Sequence, residues 1–185
     1  MHMARKLGAF EWTLEELHRL PDDGNKYELV RGELFVTPAP SAAHERLAVV
    51  LTEILTDYAR REKLGRVFHP RAVVRFQGSE VEPDIMVREW TTAPVDWAEQ
   101  PVPILVVEIL SDITRRRDLG SKKDFYHDVG VPTYWIVDGD TRTIRTIQPP
   151  HEDVVRTDTL VWHPAGTAEP LTLDIPSVFR AALGA

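Results

Sequence analysis

The sequence predicts a single α/β domain over residues 1–185 whose central strand is covered on both faces. Three observations carry this. The run Ile104-Leu105-Val106-Val107-Glu108-Ile109-Leu110 is apolar without alternation, the mark of a strand buried from both sides. After Ser41, the residues His44, Leu47, Leu51, Ile54, Leu55 and Tyr58 recur at helical spacing. Around these two segments the elements follow one another as helix, hairpin, strand, helix, strand.

Thr13-Leu14-Glu15-Glu16 has capping-box spacing, so a short helix carrying Leu14, Leu17 and Leu20 opens the pattern and stops before Pro21. Residues 26–36 read as two strands around Arg31-Gly32, with Tyr27, Leu29, Leu34 and Val36 packing and Glu28 and Glu33 facing water. Ser41 is the N-cap of the long helix, and Gly65 ends it. Residues 66–76 and 80–87 read as a hairpin joined across Gln77-Gly78-Ser79. Residues 88–103, rich in proline, form a connection. Asp118 is expected to cap a helix that runs to about Val129 and is stopped by Gly130 and Pro132. Residues 133–137 are a second buried strand, and Asp138-Gly139-Asp140-Thr141 turns the chain into a strand over 142–147. Short strands around 154–161 and 171–173 precede a terminal helix over 175–183 with Pro176 in its first turn.

Composition narrows the chemistry. With no cysteine, disulfides, thiolate metal sites and cysteine nucleophiles are excluded, so any metal is held by oxygen or imidazole. No stretch has the length of a membrane span, and the start, Met1 to Lys6, lacks the apolar run of a secretory signal, so a cytoplasmic protein without a membrane partner is expected. The formal charge of −7 argues against a surface that broadly coats nucleic acid. A local basic run remains, with Arg115, Arg116, Arg117, Lys122 and Lys123 against Asp112 and Asp118. A solvated loop and a phosphate contact fit it equally well.

Asp84 and Glu108 stand at or near the carboxyl ends of apolar runs. A charge in such a place is paired, bonded to backbone N–H groups or bound to metal. If their strands are neighbours, both carboxylates converge on one divalent ion. Magnesium suits them because it takes hard oxygen ligands, and a backbone carbonyl such as that of Ile109 could join them. Lys122 shares a helical face with Phe125, Tyr126 and Val129, which lays its stem on the core and lets its ammonium reach over the end of the Glu108 strand. Two acids and a lysine so arranged suit metal-assisted phosphodiester cleavage.

Several segments together resemble the Uma family of restriction endonucleases, within the PD-(D/E)XK nuclease superfamily. They are Tyr27-Glu28-Leu29-Val30-Arg31-Gly32-Glu33-Leu34, Pro38-Ala39-Pro40-Ser41 with His44, Pro83-Asp84, Val107-Glu108-Ile109-Leu110-Ser111, Asp118 with Lys122 and Tyr126, and Gly130-Val131 with Tyr134-Trp135. The resemblance implies a restriction-endonuclease-like core over about residues 27–138, a mixed central sheet flanked by helices, with extra hairpins toward each end. It implies Mg2+ or Mn2+ at Asp84 and Glu108, and DNA as substrate. In the superfamily's simplest motif a lysine lies two residues after the second acid. That position is Leu110 here, and Lys122 stands where the Uma pattern supplies the lysine. Glu28 matches a further acid of the pattern, His44 a residue near metal or substrate, and Tyr126 packs the lysine helix. Arg115 and Arg116 are the candidate phosphate contacts. Cleavage of both strands of a duplex would suit a homodimer. The alternative is a nuclease-fold binding module without turnover; a two-carboxylate glycosidase explains neither Lys122 nor the arginines.

Overall fold

A computed structural model of the chain describes residues 11–92, 96–111 and 114–184. The opening segment Met1 to Lys6 and Asp112 of the basic run lie outside the described residues.

The Thr13 capping box forms: the Thr13 side chain accepts from the Glu16 N–H, and Glu16 Oε2 accepts from the Thr13 N–H at 2.9 Å. It starts α1 (Leu14–Leu17), which buries Leu17. β1 (Lys26–Val30) and β2 (Glu33–Thr37) pair antiparallel around Arg31-Gly32. Their burial departs from simple alternation. Glu28 is buried beside Leu29 and Val30, while Val36 is exposed and Phe35 packs in its place. β1 is an inner strand of a four-stranded sheet ordered β2-β1-β5-β4, so both its faces are covered and its acid must find cations inside.

In α2 (Ala42–Arg61), Ser41 Oγ accepts from the His44 N–H at 3.2 Å, and Leu47, Leu51, Leu55, Tyr58 and Ala59 form the buried stripe. The hairpin expected over residues 66–87 is instead four strands in two sheets. β3 (Arg66–Phe68) pairs with β6 (Ile85–Arg88), whereas β4 (Val74–Phe76) and β5 (Ser79–Val81) form their own hairpin in the four-stranded sheet. Pro70 and Pro83 lie in the two segments where the chain changes sheet, and neither has an N–H to continue a ladder.

β7 (Leu105–Ile109), β8 (Tyr134–Asp138), β9 (Thr143–Ile147) and β10 (Val154–Arg156) complete a six-stranded sheet ordered β10-β9-β8-β7-β6-β3. It is mixed: β7 and β8 are parallel, and the other neighbours are antiparallel. The parallel pair needs a crossover, supplied by α3 (Arg115–Asp118) and α4 (Ser121–Val129). Asp118 is therefore not the expected N-cap. It is the buried last residue of α3, drawn inward by the cations beside it, and Gly120 precedes α4. Gly130 ends α4 at φ 86°, in the left-handed region. β11 (Thr159–Trp162) and β12 (Leu171–Asp174) form a hairpin before α5 (Ile175–Leu183).

Strand parity divides the core. Ile85, Val87, Leu105, Val107, Ile109, Trp135 and Val137 point to one face of the six-stranded sheet and pack with α2, α5 and the β11–β12 hairpin. Met86, Val106, Tyr134 and Ile136 point to the other, where Phe125 and Tyr126 of α4 and Val30, Val74 and Val81 of the four-stranded sheet cover them. By the same parity Asp84 and Glu108 belong to this second face. Among the described residues no helix is long and apolar enough to cross a membrane.

Candidate active site

β6 and β7 are antiparallel neighbours with Ile85 opposite Val107, and extending that register by one residue sets Asp84 opposite Glu108. Asp84 lies just before the β6 ladder, and its carboxylate continues the pairing. Oδ2 accepts from the Ile109 N–H at 2.8 Å and from His44 Nε2 at 3.1 Å, so Nε2 carries the proton. Oδ1 accepts from Lys26 Nζ at 3.1 Å, and the same ammonium donates to the Glu82 carbonyl at 3.0 Å.

Behind this pair lies a second layer of charge. Glu108 Oε1 accepts from Lys122 Nζ at 2.8 Å and from the Tyr126 hydroxyl at 2.6 Å. Lys122 Nζ also lies 2.8 Å from Glu28 Oε1, which accepts from the Glu82 N–H at 3.0 Å. Arg117 Nη2 stands 3.2 Å from Glu28 Oε2, a charge contact without an aligned hydrogen bond, and Asp118 Oδ1 is 3.7 Å from Lys122. Lys122 is fully buried.

The electrostatics follow from the charge count. The buried acids Glu28, Asp84, Glu108 and Asp118 face three cations, Lys26, Lys122 and Arg117, and a fifth buried acid, Glu82, lies beside Lys26. Burial disfavours every one of these charges, so partners decide the outcome. At Asp84 burial is overcome by Lys26 and His44, which hold its carboxyl well below the usual range. At Glu28, Lys122, Lys26 and Arg117 likewise outweigh burial and hold the acid down. Glu108 is left in excess: burial, aided by Asp84 and Asp118 and only partly opposed by Lys122, pushes it up to about 7. The two acids that share Lys122 thus move in opposite directions, because Glu28 has further cations and Glu108 has further anions beside it. Lys122 stays charged, since Glu108 and Glu28 outweigh its burial, and Asp84 raises the His44 imidazole despite its burial.

A groove of about 960 Å³ opens onto this cluster, with Lys26, His44, Glu82, Asp84, Glu108 and Ile109 on its wall. The structure therefore brings Asp84, Glu108 and His44 together at the groove, with Glu28, Lys122 and Tyr126 directly behind them. Arg115 is set apart, paired with Asp138 at 2.7 Å and with Asp140 at 3.4 Å, and Arg116 is exposed on α3. Of the rest of the basic run, Arg117 donates to Thr37 at 3.0 Å and Lys123 pairs with Asp153 at 2.6 Å. The basic run is thus largely taken up by internal pairs.

Sequence reasoning missed Lys26, Arg117 and Asp118 as members of the cluster. A signal was present for Lys26 and Asp118, but none for Arg117, whose partners Glu28 and Thr37 are remote in sequence. Lys26 and Glu28 are two apart on one strand and share a face, and Asp118 and Lys122 are four apart. Among the described residues no group of three or more His, Asp or Glu side chains is arranged to hold a metal. The donor chemistry nevertheless suits a hard divalent cation, because the groove presents the two opposed carboxylates of Asp84 and Glu108.

Comparison with known proteins extends this reading. A crystal structure from Anabaena variabilis, described as "a putative nuclease belonging to DUF820", superposes with a TM-score of 0.78 at 23% identity, covering 93% of this chain and 99% of that one. At that identity the likeness establishes the fold, a mixed α/β architecture. The comparison with curated proteins finds no match. The model of the Uma2 family, whose description reads "Putative restriction endonuclease", matches residues 14–182, which span every element of the site, and the chain belongs to that family.

Proposed function

We propose that this chain is a divalent-metal-dependent endonuclease that hydrolyses phosphodiester bonds in DNA. The observation that carries the proposal is the placing of Asp84 opposite Glu108 at the groove, backed by the Lys122 ammonium 2.8 Å from Glu108. Asp84 and Glu108 would hold Mg2+ or Mn2+, which supplies Lewis acidity toward the phosphate and the attacking water.

The chain's own residues prepare the site. His44 and the Ile109 N–H lock the rotamer of Asp84 through Oδ2. Tyr126 and Lys122 hold Glu108 by one oxygen, and Lys122 favours the ionised form needed of a ligand. Glu108 and Glu28, with Asp118 at longer range, keep Lys122 charged without exposing it to the groove. Lys122 therefore acts on the phosphate through Glu108 rather than by direct contact. Of the candidate phosphate contacts, Arg116 is exposed and Arg115 is paired with Asp138 and Asp140.

Supercoiled plasmid incubated with Mg2+ or Mn2+ tests the proposal, with wild type beside Asp84→Asn and Glu108→Gln purified identically. Nicking or linearisation by wild type that both substitutions abolish is the expected result; equal cleavage by all three sinks it. One observation favours the second reading, a DNA-binding module without turnover: three of the four Asp84 and Glu108 oxygens already accept hydrogen bonds from the protein. A gel shift that Asp84→Asn leaves intact, with no cleavage by wild type, would select it. A homodimer, which suits cutting both strands, is tested by light scattering of the protein alone and with a short duplex.

A further inference from the structure

Lys26 and Lys122 both meet carboxylates of the site, but they differ in one respect. The Lys122 side chain is 0% exposed and sealed among Glu28, Glu108 and Asp118, whereas that of Lys26 is 16% exposed and lies on the groove wall. Lys26 alone of the two has a path into solvent. Its stem is a flexible four-carbon chain, and its ammonium is held by one carboxylate oxygen, Asp84 Oδ1 at 3.1 Å, and one neutral carbonyl, that of Glu82 at 3.0 Å. Asp84 does not depend on it for position, because His44 and the Ile109 N–H grip the other oxygen.

We propose that Lys26 is the resident counter-ion of the metal site: its ammonium pairs with Asp84 Oδ1, and a divalent ion binding there must displace it into the groove. This rests on the reading of Asp84 and Glu108 as metal ligands. The physical case is one of exclusion. Oδ1 is the Asp84 oxygen that faces a removable partner, and an ammonium and a divalent cation repel each other strongly at the few ångströms that would separate them there. The apparent metal affinity is then lower than that of the open carboxylate pair, by the fraction of molecules in which Oδ1 is free. Lys26 thereby sets the metal concentration at which the site fills, and keeps Asp84 paired when the metal is absent.

The test is a titration with Mn2+ alone, following free ion by electron paramagnetic resonance, for wild type, Lys26→Gln, Lys26→Met and Asp84→Asn. Both Lys26 variants are expected to bind Mn2+ at least roughly tenfold more tightly than wild type, with binding lost in Asp84→Asn. Loss in Asp84→Asn with equal or weaker binding in both Lys26 variants makes Lys26 a brace, and overturns this inference while leaving the metal site standing. Unchanged binding in Asp84→Asn overturns both. A second measurement uses wild type only: reductive methylation read by mass spectrometry should modify Lys26 faster when Mg2+ saturates the protein, and an unchanged rate refutes the displacement.

Discussion

Replacing Lys122 with methionine keeps the length of the stem and removes one charge from the centre of the cluster. The ammonium lies 2.8 Å from both Glu28 and Glu108, and at an effective dielectric of about 20 each contact attracts by about 6 kcal/mol. Desolvation of the three groups offsets much of that, since each buried ion loses several kcal/mol of hydration. The methionine variant keeps the desolvation of both acids and loses their shared partner, a change that destabilises by roughly 3–5 kcal/mol. In a domain of this size that lowers the melting temperature by roughly 6–20 °C. Urea unfolding with EDTA present, followed by fluorescence of the buried Trp135 and Trp162, measures it. The sign with pH is set by the orphaned acids. Without Lys122, Glu108, already pushed up to about 7 by burial, is easier still to protonate folded than unfolded, so the folded state binds more protons and the deficit shrinks as pH falls from 8 toward 5. Adding Glu108→Gln removes the acid that has further anions beside it and should restore part of the loss. A deficit under about 1 kcal/mol at pH 8, or a double variant weaker than the single, refutes the account of Lys122 as the shared counter-ion.

Two further outcomes follow from the same coordinates. Glu108, pushed up to about 7, carries a proton that a divalent ion must expel, so Mg2+ or Mn2+ binding should release about half a proton at pH 7, nearly one at pH 5.5 and little at pH 8.5. Calorimetry in buffers of different ionisation enthalpy reads this directly, and a release that does not change with pH contradicts it. At Gly65, φ is 148° and an added Cβ would meet the Arg88 carbonyl oxygen at 1.9 Å, so Gly65→Ala should destabilise by at least about 2 kcal/mol in urea unfolding, by parting β3 from the end of β6.

Much of the fold was legible because the signals are local. The Thr13 box, the Ser41 cap, the apolar stripe of α2 and the unalternating run of β7 each depend on a few neighbouring residues, and each appears where the pattern puts it. The departures share a different cause. Residues 66–87 carry strand-like sequence throughout, and nothing in local propensity says that β3 and β6 join one sheet while β4 and β5 join another. Glu28 and Glu33 look alike as alternating acids, yet Glu28 is buried and Glu33 exposed, because β1 is an inner strand and β2 an edge.

By itself the sequence determined the alternation that sets Asp84 on the side of Met86 and Glu108 on the side of Val106, and the helical face that Lys122 shares with Phe125 and Tyr126. Those follow from periods of two and 3.6 residues, which are properties of the backbone. Only the tertiary structure decided which charges meet. Lys26 reaches Asp84 across 58 residues and Arg117 reaches Thr37 across 80, and it is such remote partners that hold Asp84 and Glu28 ionised and leave Glu108 near neutrality. The ionisation of a buried group is set by the charges packed around it, and that packing exists only once distant segments have come together.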